Sequence, residues 1–497
     1  MARPNVAFMR PELANRIEEY SLIRDVLSGE VAIKKADSKY LPFPNGKDAQ
    51  SPEDKARYRR YKTRAVFYGV TKRTIAGLIG QVFKKPAEIT VPDSMQKIID
   101  NASGSGVSLS HMSKKAESYA LAYGRCGVFV DYPETNGEAT VAELEAGNIR
   151  PTVSVYSPME IYNWRVDDIG AEEVLTLVVL AESYTYEDDG FEMKKGGRFR
   201  VLMLTPDGFE MQVWEQPQPN QWDGIRTLKG NYQLSKVVRP TGPDGDRIKK
   251  IPFWFVGSEN NDSNPDNPPM YDLASLNVAH YRNSADYEET INVIGQPTVF
   301  LEGFTKEWIK NELGGEVTLG VAGGIAGPAN SDVKILQVSP NTLVKEAMDM
   351  KERQMVALGA KLVEQTTVQR TAFEAGLEAS SENSTLGNIT NNVSEIFTKA
   401  LEFCAYYMNV EDSQILFKLN TDFDLAAATP EERAQVISEW QKGAITFDEM
   451  RNVLHRAGVA TEENSIAKGK IDQEQAASMK LAMESAASSI VGNNNAS

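Results

Sequence analysis

Few residues of this 497-residue sequence have the type and spacing that catalysis needs. Three histidines occur, His111, His280 and His455, each alone, with no HExxH pair and no Cys/His cluster for a transition metal. The two cysteines, Cys126 and Cys404, lie far apart in apolar contexts, which predicts buried thiols rather than a disulfide framework. We therefore expect structural histidines and no metal or cofactor.

Motifs for nucleotide or acyl chemistry are also missing. No GxxxxGK[ST], GxSxG or kinase signature occurs, and the Gly-rich residues 314–327 lack the Lys-Ser/Thr that would complete a phosphate cradle. Two acidic pairs, Asp167/Asp168 and Asp188/Asp189, could bind a metal or act as acid and base, but we expect both in solvated turns. The sequence predicts a protein that is not an enzyme.

The charge balance bears on nucleic-acid binding. Hydrophobic residues make up 41% and charged residues 25% of the chain, as in ordinary globular proteins, and the net charge is −16. A protein that grips DNA by neutralising phosphates usually carries a basic surplus, so a DNA clamp is not expected. An acidic surface repels phosphates, which suits a conduit better.

Neither membrane insertion nor secretion is expected. The densest apolar run, Val174 to Ala181, is far shorter than the roughly 18 residues that span a bilayer, and it predicts a buried strand. The first twenty residues lack the apolar region of a signal peptide. We expect the chain to stay in the cytoplasm where it is made.

One basic segment, residues 55–73, interrupts this acidic chain. Its cations alternate with aromatic residues and superficially resemble a nucleic-acid surface. The cations are Arg57, Arg59, Arg60, Lys62, Arg64, Lys72 and Arg73, and the aromatic residues are Tyr58, Tyr61, Phe67 and Tyr68. We favour the simpler interpretation, that the cations pair with acidic residues of other segments or subunits.

The first half of the chain changes from a helical to a strand period. An amphipathic helix is predicted from Glu12 to Leu27, and a long helical pattern runs from Pro52 to Phe83, which Gly69 could interrupt. A helix ending at Gly124 precedes a series of strands with short turns, including TVSVYSPMEIYNWRVD as one strand. These strands predict a mostly antiparallel β-rich module.

The second half brackets a small insert with long helices. A helix of about 24 residues ends at Gly295, an α/β insert of about 45 residues follows, and a second helix runs from about Asn341 to Val363. The polar residues 365–383 then precede a third helix, STLGNITNNVSEIFTKALEFCAYYMN. Two further helices are predicted to begin at Thr429 and Thr446, each with Glu three residues later, and to end at Gly443 and Gly458.

This order of elements resembles the portal proteins of tailed bacteriophages, in particular a branch described as a portal-like domain of unknown function. The matching strings are RYKTRAVFYGVTKRTIAGLIGQVFKKP, SGVSLSHMSKKAESYALAYGRCGVFVDYP, VYSPMEIYNW and IPFWFVG, in this order between Arg57 and Gly295. The helix, insert, helix, loop and helix that follow extend the resemblance to about Asn409. The C-terminal part is the least specific match.

The resemblance implies an α+β portal fold with named parts. Residues 1–268 form the wing, with its N-terminal helices and β-rich module. The remaining parts are a descending stem helix (269–295), the clip (296–340), an ascending stem helix (341–364), the tunnel loop (365–383), the long wing helix and a following strand (384–428), and the crown with the C-terminal tail (429–497).

The resemblance also implies a role. A homo-oligomeric ring, a dodecamer in this family, forms at one capsid vertex the head-tail connector, a channel for double-stranded DNA in packaging and ejection. Its clip meets the large terminase subunit and later the head-tail adaptor, and the ring contacts major capsid and scaffolding proteins. Such a protein is assembled in the host cytoplasm, belongs to the virion and has no membrane partner.

Three sets of site residues follow from this assignment. The DNA-facing tunnel loop would present Gln365, Thr366, Thr367, Gln369 and Arg370. The stem would line the channel with Lys345, Lys351 and Arg353. The clip would offer Lys306, Trp308, Lys310 and Glu312 to the terminase and the adaptor.

Two alternatives remain open. One is another virion structural protein, such as a connector or minor capsid protein, which should be smaller and lack the helix-clip-helix arrangement. The other is a hydrolase of DNA or peptidoglycan, which should lose its activity when one or two acidic or histidine residues are replaced.

Overall fold

The computed structural model describes residues 5–44, 51–132, 149–217, 228, 230–294, 298–312, 327–336, 342–361, 384–410, 414–421, 423, 430–456, 460, 462, 464, 466–471 and 473. The chain divides into two compact units, Met1–Thr421 and Asp422–Ser497. Helices and antiparallel sheets occur together, so the protein is of the α+β class, as the sequence predicts.

Helices occupy most of the described chain up to Tyr123. They are α1 (Pro11–Ser28), α2 (Glu30–Lys35), α3 (Pro52–Arg64), α4 (Val70–Val82), α5 (Gln96–Asp100) and α6 (Leu109–Tyr123). Helix α6 ends at Gly124, as predicted, because this residue adopts a left-handed φ of 75°. A side chain there would meet the Asn267 carbonyl oxygen at 2.7 Å, so the close approach also requires glycine.

The strands that follow form two antiparallel sheets. Their bounds are β2 (Arg125–Asp131), β3 (Thr152–Tyr156), β4 (Ile161–Ile169), β5 (Glu172–Asp188), β6 (Met193–Thr205), β7 (Gly208–Glu215), β8 (Gln233–Val238) and β9 (Phe253–Gly257). One sheet has the order β3-β2-β9 and the other the order β4-β5-β6-β7-β8. An outlying strand, β1 (Glu88–Thr90), pairs with β12 (Leu416–Lys418). The predicted antiparallel module is confirmed.

Long helices dominate the rest of the first unit. They are α7 (Tyr271–Ile294), α9 (Leu343–Lys361) and α10 (Thr385–Tyr407). Between α7 and α9 lie β10 (Thr298–Glu302), the short helix α8 (Lys306–Glu312) and β11 (Asp332–Leu336), and the two strands pair antiparallel. The predicted helices on both sides of an α/β insert are confirmed as elements.

The core of the first unit lies around α10 and α6, which pack against the β3-β2-β9 sheet. Helix α10 begins at the cap residue Ser384, whose hydroxyl accepts from the Gly387 amide at 3.0 Å. Its buried face includes Ile389, Val393, Phe397 and Leu401, at four-residue steps that keep the side chains on one helical face.

The interruption that Gly69 could cause in the helical pattern from Pro52 to Phe83 is present and extends over Ala65–Gly69, so this segment is two helices. Two other local predictions differ from the structure. The string TVSVYSPMEIYNWRVD is two strands in different sheets, divided at Ser157, whose amide donates to Glu160 Oε2 at 2.7 Å. Asp167 and Asp168 lie within β4 rather than in a turn, where Asp167 Oδ2 accepts from the Thr176 hydroxyl at 2.6 Å.

The second unit contains α11 (Pro430–Gln441) and α12 (Phe447–Arg456). The predicted capping box of α12 is present, since Thr446 Oγ1 accepts from the Glu449 amide and Glu449 Oε2 accepts from the Thr446 amide. Gly443 has a left-handed φ of 75° just after α11, as the sequence predicts. Thr429 and Gly458 lie outside the described residues.

Within the described ranges, no helix combines the length and the apolar character needed to cross a bilayer.

Candidate functional site

Helices α7 and α9 pack as an antiparallel pair. His280 Nε2 of α7 lies 3.3 Å from Glu352 Oε1 of α9. Residues of early α7, such as Leu276, share a groove with residues of late α9, such as Leu358. Early residues of one helix therefore face late residues of the other, and the β10–β11 hairpin lies between the end of α7 and the start of α9.

Polar side chains fix α7 to the segment between α3 and α4. Asn277, fully buried, donates from Nδ2 to the Tyr68 carbonyl oxygen at 2.7 Å and accepts at Oδ1 from the Thr71 amide at 3.3 Å. The Val66 amide donates to Ser284 Oγ at 2.8 Å. These bonds satisfy backbone groups that the non-helical residues Ala65–Gly69 leave unpaired, which explains why the helical pattern breaks there.

The part of the α7–α9 pair that lies next to the β10–β11 strands in the sequence buries few side chains. From Asp286 to Asn292 of α7, and from Leu343 to Gln354 of α9, no described side chain is fully buried. Three apolar side chains there are about half or more exposed: Ile291, Leu343 and Met350. Two helices that bury so little of each other's surface obtain little stability from packing, so this part of the pair is suited to contact with other surfaces.

The three predicted channel cations do not share one face of α9. Lys345 and Arg353 are exposed, whereas Lys351 is half buried. Lys351 belongs to the stripe of Val344, Met348 and Met355, which is the less exposed side of the helix. The exposed side chains of Lys345 and Arg353 can face a solvent-filled space, whereas Lys351 lies on the less exposed side of the helix.

The predicted docking residues lie on or beside α8. Lys306 and Lys310 are exposed, and Trp308 is half buried against Phe304, with ring centroids 5.1 Å apart. Nothing is described for the Glu312 side chain, and the predicted tunnel loop, with Gln365, Thr366, Thr367, Gln369 and Arg370, lies outside the described residues.

The basic segment has two kinds of cation. Arg64 pairs with Glu289 of α7 at 2.5 Å, and Lys62 pairs with Asp37, so these two cations meet acidic segments of the same chain, as expected. Arg57, Arg59 and Arg60 are exposed on α3, and within the described part of the chain they have no ion pair.

Burial shifts the pKa of two cysteines and one arginine among the described residues. Burial raises the pKa of the Cys126 and Cys404 thiols, which opposes formation of a nucleophilic thiolate. Burial lowers the pKa of Arg125 to about 9; its guanidinium lies between the rings of Trp164 and Phe255, 4.1 and 4.0 Å from their centroids. Among the described residues, no three His, Cys, Asp or Glu side chains cluster to hold a metal.

Two features escaped the sequence analysis. The turn between β5 and β6 presents a fully exposed phenylalanine, Phe191, and a cleft of about 800 Å³ lies between residues 244–250 and α10. The string EDDGFE signals the exposed turn, but no local pattern could signal the cleft, because its two walls are more than 140 residues apart.

Comparisons with known proteins add the following. A family model described as a domain of unknown function (DUF4055) matches residues 269–408, from α7 through α10. No curated protein matches the chain.

Solved structures of gene transfer agent (GTA) particles are similar at low identity. The neck of an empty GTA particle computed with C6 symmetry is 13% identical over 84% of this chain and 98% of that chain, with a TM-score of 0.41. The neck of a native GTA particle computed with C12 symmetry is 11% identical over 85% of this chain and 98% of that chain, also with a TM-score of 0.41. The virion of the native GTA particle is 13% identical over 86% of this chain and 99% of that chain, with a TM-score of 0.41.

Proposed function

We propose that this chain is a bacteriophage portal protein, a structural subunit of a homo-oligomeric ring that forms the channel for double-stranded DNA at one capsid vertex. The observation that carries the proposal is the antiparallel pair α7–α9 with a small β10-α8-β11 module between its helices. This is the arrangement of stem and clip that the sequence resemblance implies. The role is not enzymatic.

The exposure of the helix pair supports assembly into a ring. Ile291, Leu343 and Met350 are apolar, and at least 47% of each is exposed. A ring gives each copy two neighbours, so one side of each pair can bury these residues while another side faces the lumen. Lys345 and Arg353, which are exposed, are the candidates for the lumen side.

The charge of the chain supports a conduit. Each copy carries −16, and twelve copies would carry about −190, so DNA phosphates would be repelled by most of the wall. A few polar or basic contacts in the lumen would hold DNA only weakly. In this mechanism the ring is passive: a terminase motor supplies the energy, and the ring provides the channel, a docking surface and a signal that the head is full.

The proposed docking surface for the terminase and the adaptor is the exposed side of α8. Lys306 and Lys310 offer two charges, and Trp308 offers a half-exposed aromatic edge. Replacement of both lysines by glutamate should weaken binding of the large terminase subunit from the same genome at least tenfold. The matched control is Lys72→Glu with Lys85→Glu, which changes the same charge on the α4 side of the chain.

Native mass spectrometry of the purified chain tests the ring directly. The expected species has a mass near twelve times 54.9 kDa. Ile291→Ser with Leu343→Ser should shift the population toward single subunits, because both side chains would lie between copies. Ile169→Ser, which removes an apolar side chain that is 56% exposed at the end of β4, should leave the assembly unchanged. A single-subunit mass at all concentrations would refute the proposal.

A further inference from the structure

The β5–β6 hairpin extends beyond its sheet as a two-stranded arm. Strand β4 pairs with β5 only up to Leu180, and β7 pairs with β6 only from Phe199 onward. Residues 183–188 and 193–197, the arm, therefore pair only with each other among the described strands. At about 3.3 Å per residue the arm reaches roughly 20 Å past the sheet. An isolated two-stranded ribbon is only marginally stable, so a contact at its end would stabilise it.

The turn of the arm holds an aromatic side chain in solvent. Phe191 is 102% exposed, the extreme among the exposed apolar residues. Asp189 Oδ1 accepts from the Phe191 amide at 2.8 Å and from the Glu192 amide at 2.6 Å, and Gly190 supplies a left-handed φ of 90°. The turn is thus internally hydrogen-bonded, and burial of Phe191 in a contact would remove its whole ring from water, which is favourable.

The turn is also acidic. Asp188, Asp189 and Glu192 make no ion pair within the described residues, whereas Glu187, further down the arm, pairs with Lys194 at 3.0 Å. The end of the arm is therefore an apolar ring flanked by three carboxylates that can still pair with cations.

The cleft between residues 244–250 and α10 has the complementary chemistry. Its wall is aromatic: Trp254 and Phe403 lie 5.8 Å apart, and Phe403 and Tyr406 lie 5.5 Å apart, measured between ring centroids. Lys249 and Lys250 line it, both are exposed, and neither has an ion pair in the described chain.

The positive charge of the cleft lies close to its aromatic wall. Lys250 Nζ lies 5.0 Å from the centre of the Phe403 ring, so its ammonium stands beside the aromatic wall. Asp244, Asp246 and Glu402 also line the cleft. A ligand with acidic groups should therefore approach from the lysine side, with its apolar group on the aromatic wall.

We propose that the end of the arm, Phe191 with its acidic turn, docks in the aromatic cleft of a second copy of this chain. The full exposure of Phe191 shows that it does not occupy its own cleft. A contact between two different surfaces of identical chains is heterologous, and its repetition closes a ring when the rotation allows. This inference deepens the proposed ring, on which it rests, by naming a contact between neighbours.

Disulfide trapping between two single-cysteine variants tests the contact in the full chain. Glu192→Cys and Lys250→Cys, mixed under mild oxidation, should cross-link at least tenfold faster than Glu18→Cys mixed with Lys250→Cys. The native Cys126 and Cys404 are buried and should not interfere. Addition of Phe191→Ser to the Glu192→Cys variant should slow the reaction at least tenfold. Val31→Ser, which removes a side chain that is 81% exposed on α2, should not slow it.

The outcomes separate this inference from the proposed ring. A cross-link at the control rate, or one that Phe191→Ser leaves unchanged, overturns docking of the arm, even if native mass spectrometry shows a ring. A fast cross-link that depends on Phe191, in a chain whose wild type shows no ring mass, supports the contact and refutes the ring. Phe191→Ser should not unfold the chain, because the side chain touches little of it, and circular dichroism checks this.

Discussion

His280 Nε2 lies 3.3 Å from Glu352 Oε1 and joins the middle of α7 to the middle of α9. His280 is buried, and Glu352 is half exposed, so the contact stands at the boundary between the packed and the exposed part of the helix pair. Toward the C-terminal end of α9, Met355 is buried. Toward its N-terminal end, from Leu343 to Lys351, no described side chain of α9 is buried. In the proposed ring, neighbouring copies would cover the exposed part of the pair, beyond this boundary.

Packing of α9 on the body should depend on Met355. Met355→Ala removes a side chain that is 1% exposed and should lower the free energy of unfolding by about 2–4 kcal/mol. Met350→Ala, on the same helix but 53% exposed, should change it by less than about 0.5 kcal/mol. Chemical denaturation at a concentration where the subunits are separate measures both. Equal effects would mean that Met355 is not packed as described.

The anchor of α7 should depend on Asn277. Asn277→Ala leaves the Tyr68 carbonyl and the Thr71 amide without their buried partner and should cost about 2–3 kcal/mol of unfolding free energy. Asn283→Ala, at a half-buried position of the same helix, is the control and should cost much less. If the two substitutions cost the same, the bonds to the segment between α3 and α4 do not stabilise the fold.

A buried ion network should join the two sheets. Arg200 of β6 pairs with Asp131 of β2 at 2.7 Å and with Glu182 of β5 at 2.9 Å, and the Tyr156 hydroxyl of β3 donates to Glu182 at 2.7 Å. Glu182→Leu leaves the largely buried guanidinium of Arg200 with one partner fewer and should cost about 3–5 kcal/mol.

The control for this network is Glu187→Leu. Glu187 lies on the same strand in an exposed pair with Lys194, so its replacement should cost less than about 1 kcal/mol. Thermal unfolding at neutral pH compares the two variants. A small effect of Glu182→Leu would contradict a structural role for the network.

Glu117 should make stability depend on pH. Burial raises the pKa of this carboxyl to about 8, against a hydrogen bond with Thr390 that lowers it. Thr390 Oγ1 lies 2.9 Å from Glu117 Oε1 and 2.7 Å from the Leu386 carbonyl oxygen. The single hydroxyl proton of Thr390 cannot be donated to both oxygens. If it is donated to the Leu386 carbonyl, a protonated Glu117 can donate its own proton to Thr390 Oγ1.

The sign of this pH effect follows from the raised pKa. Between pH 4.5 and about 8 the folded chain binds this proton more tightly than the unfolded chain, so stability falls as pH rises, by about 1.4 kcal/mol per unit. Glu117→Gln lacks this loss, so its unfolding free energy relative to wild type should increase by several kcal/mol from pH 5 to pH 9. The exposed control Glu18→Gln should show no such trend, and a flat difference for Glu117→Gln would contradict a neutral buried carboxyl.

The sequence predicts elements well where the signal is local. Gly124, Ser384 and the Thr446/Glu449 box each carry their own cap chemistry, and the helices there end or begin as predicted. The break between α3 and α4 was less well predicted, since it is set by Asn277 and Ser284, more than 200 residues away. The division of one predicted strand at Ser157 could not be predicted from the sequence either, because tertiary contacts decide which sheet each half joins.

Candidate site residues were predicted by resemblance, and the structure sorts them by exposure. Lys345, Arg353, Lys306 and Lys310 are exposed as such roles require, but Lys351 lies on the half-buried stripe of α9. A cation at this position follows the three- and four-residue spacing of Met348 and Met355, which sequence inspection alone could have used. The turn of the arm has a local signal, EDDGFE, but the full exposure of Phe191 and the cleft were not predicted, because exposure and burial are set by the fold.

Cryo-electron microscopy of the purified full chain tests the central claim most directly. The account predicts closed rings near twelvefold symmetry around an open channel, with the α7–α9 pairs forming part of its wall and the β10-α8-β11 modules at one end. Compact single subunits at every concentration and salt, or closed particles without a central hole, would contradict it.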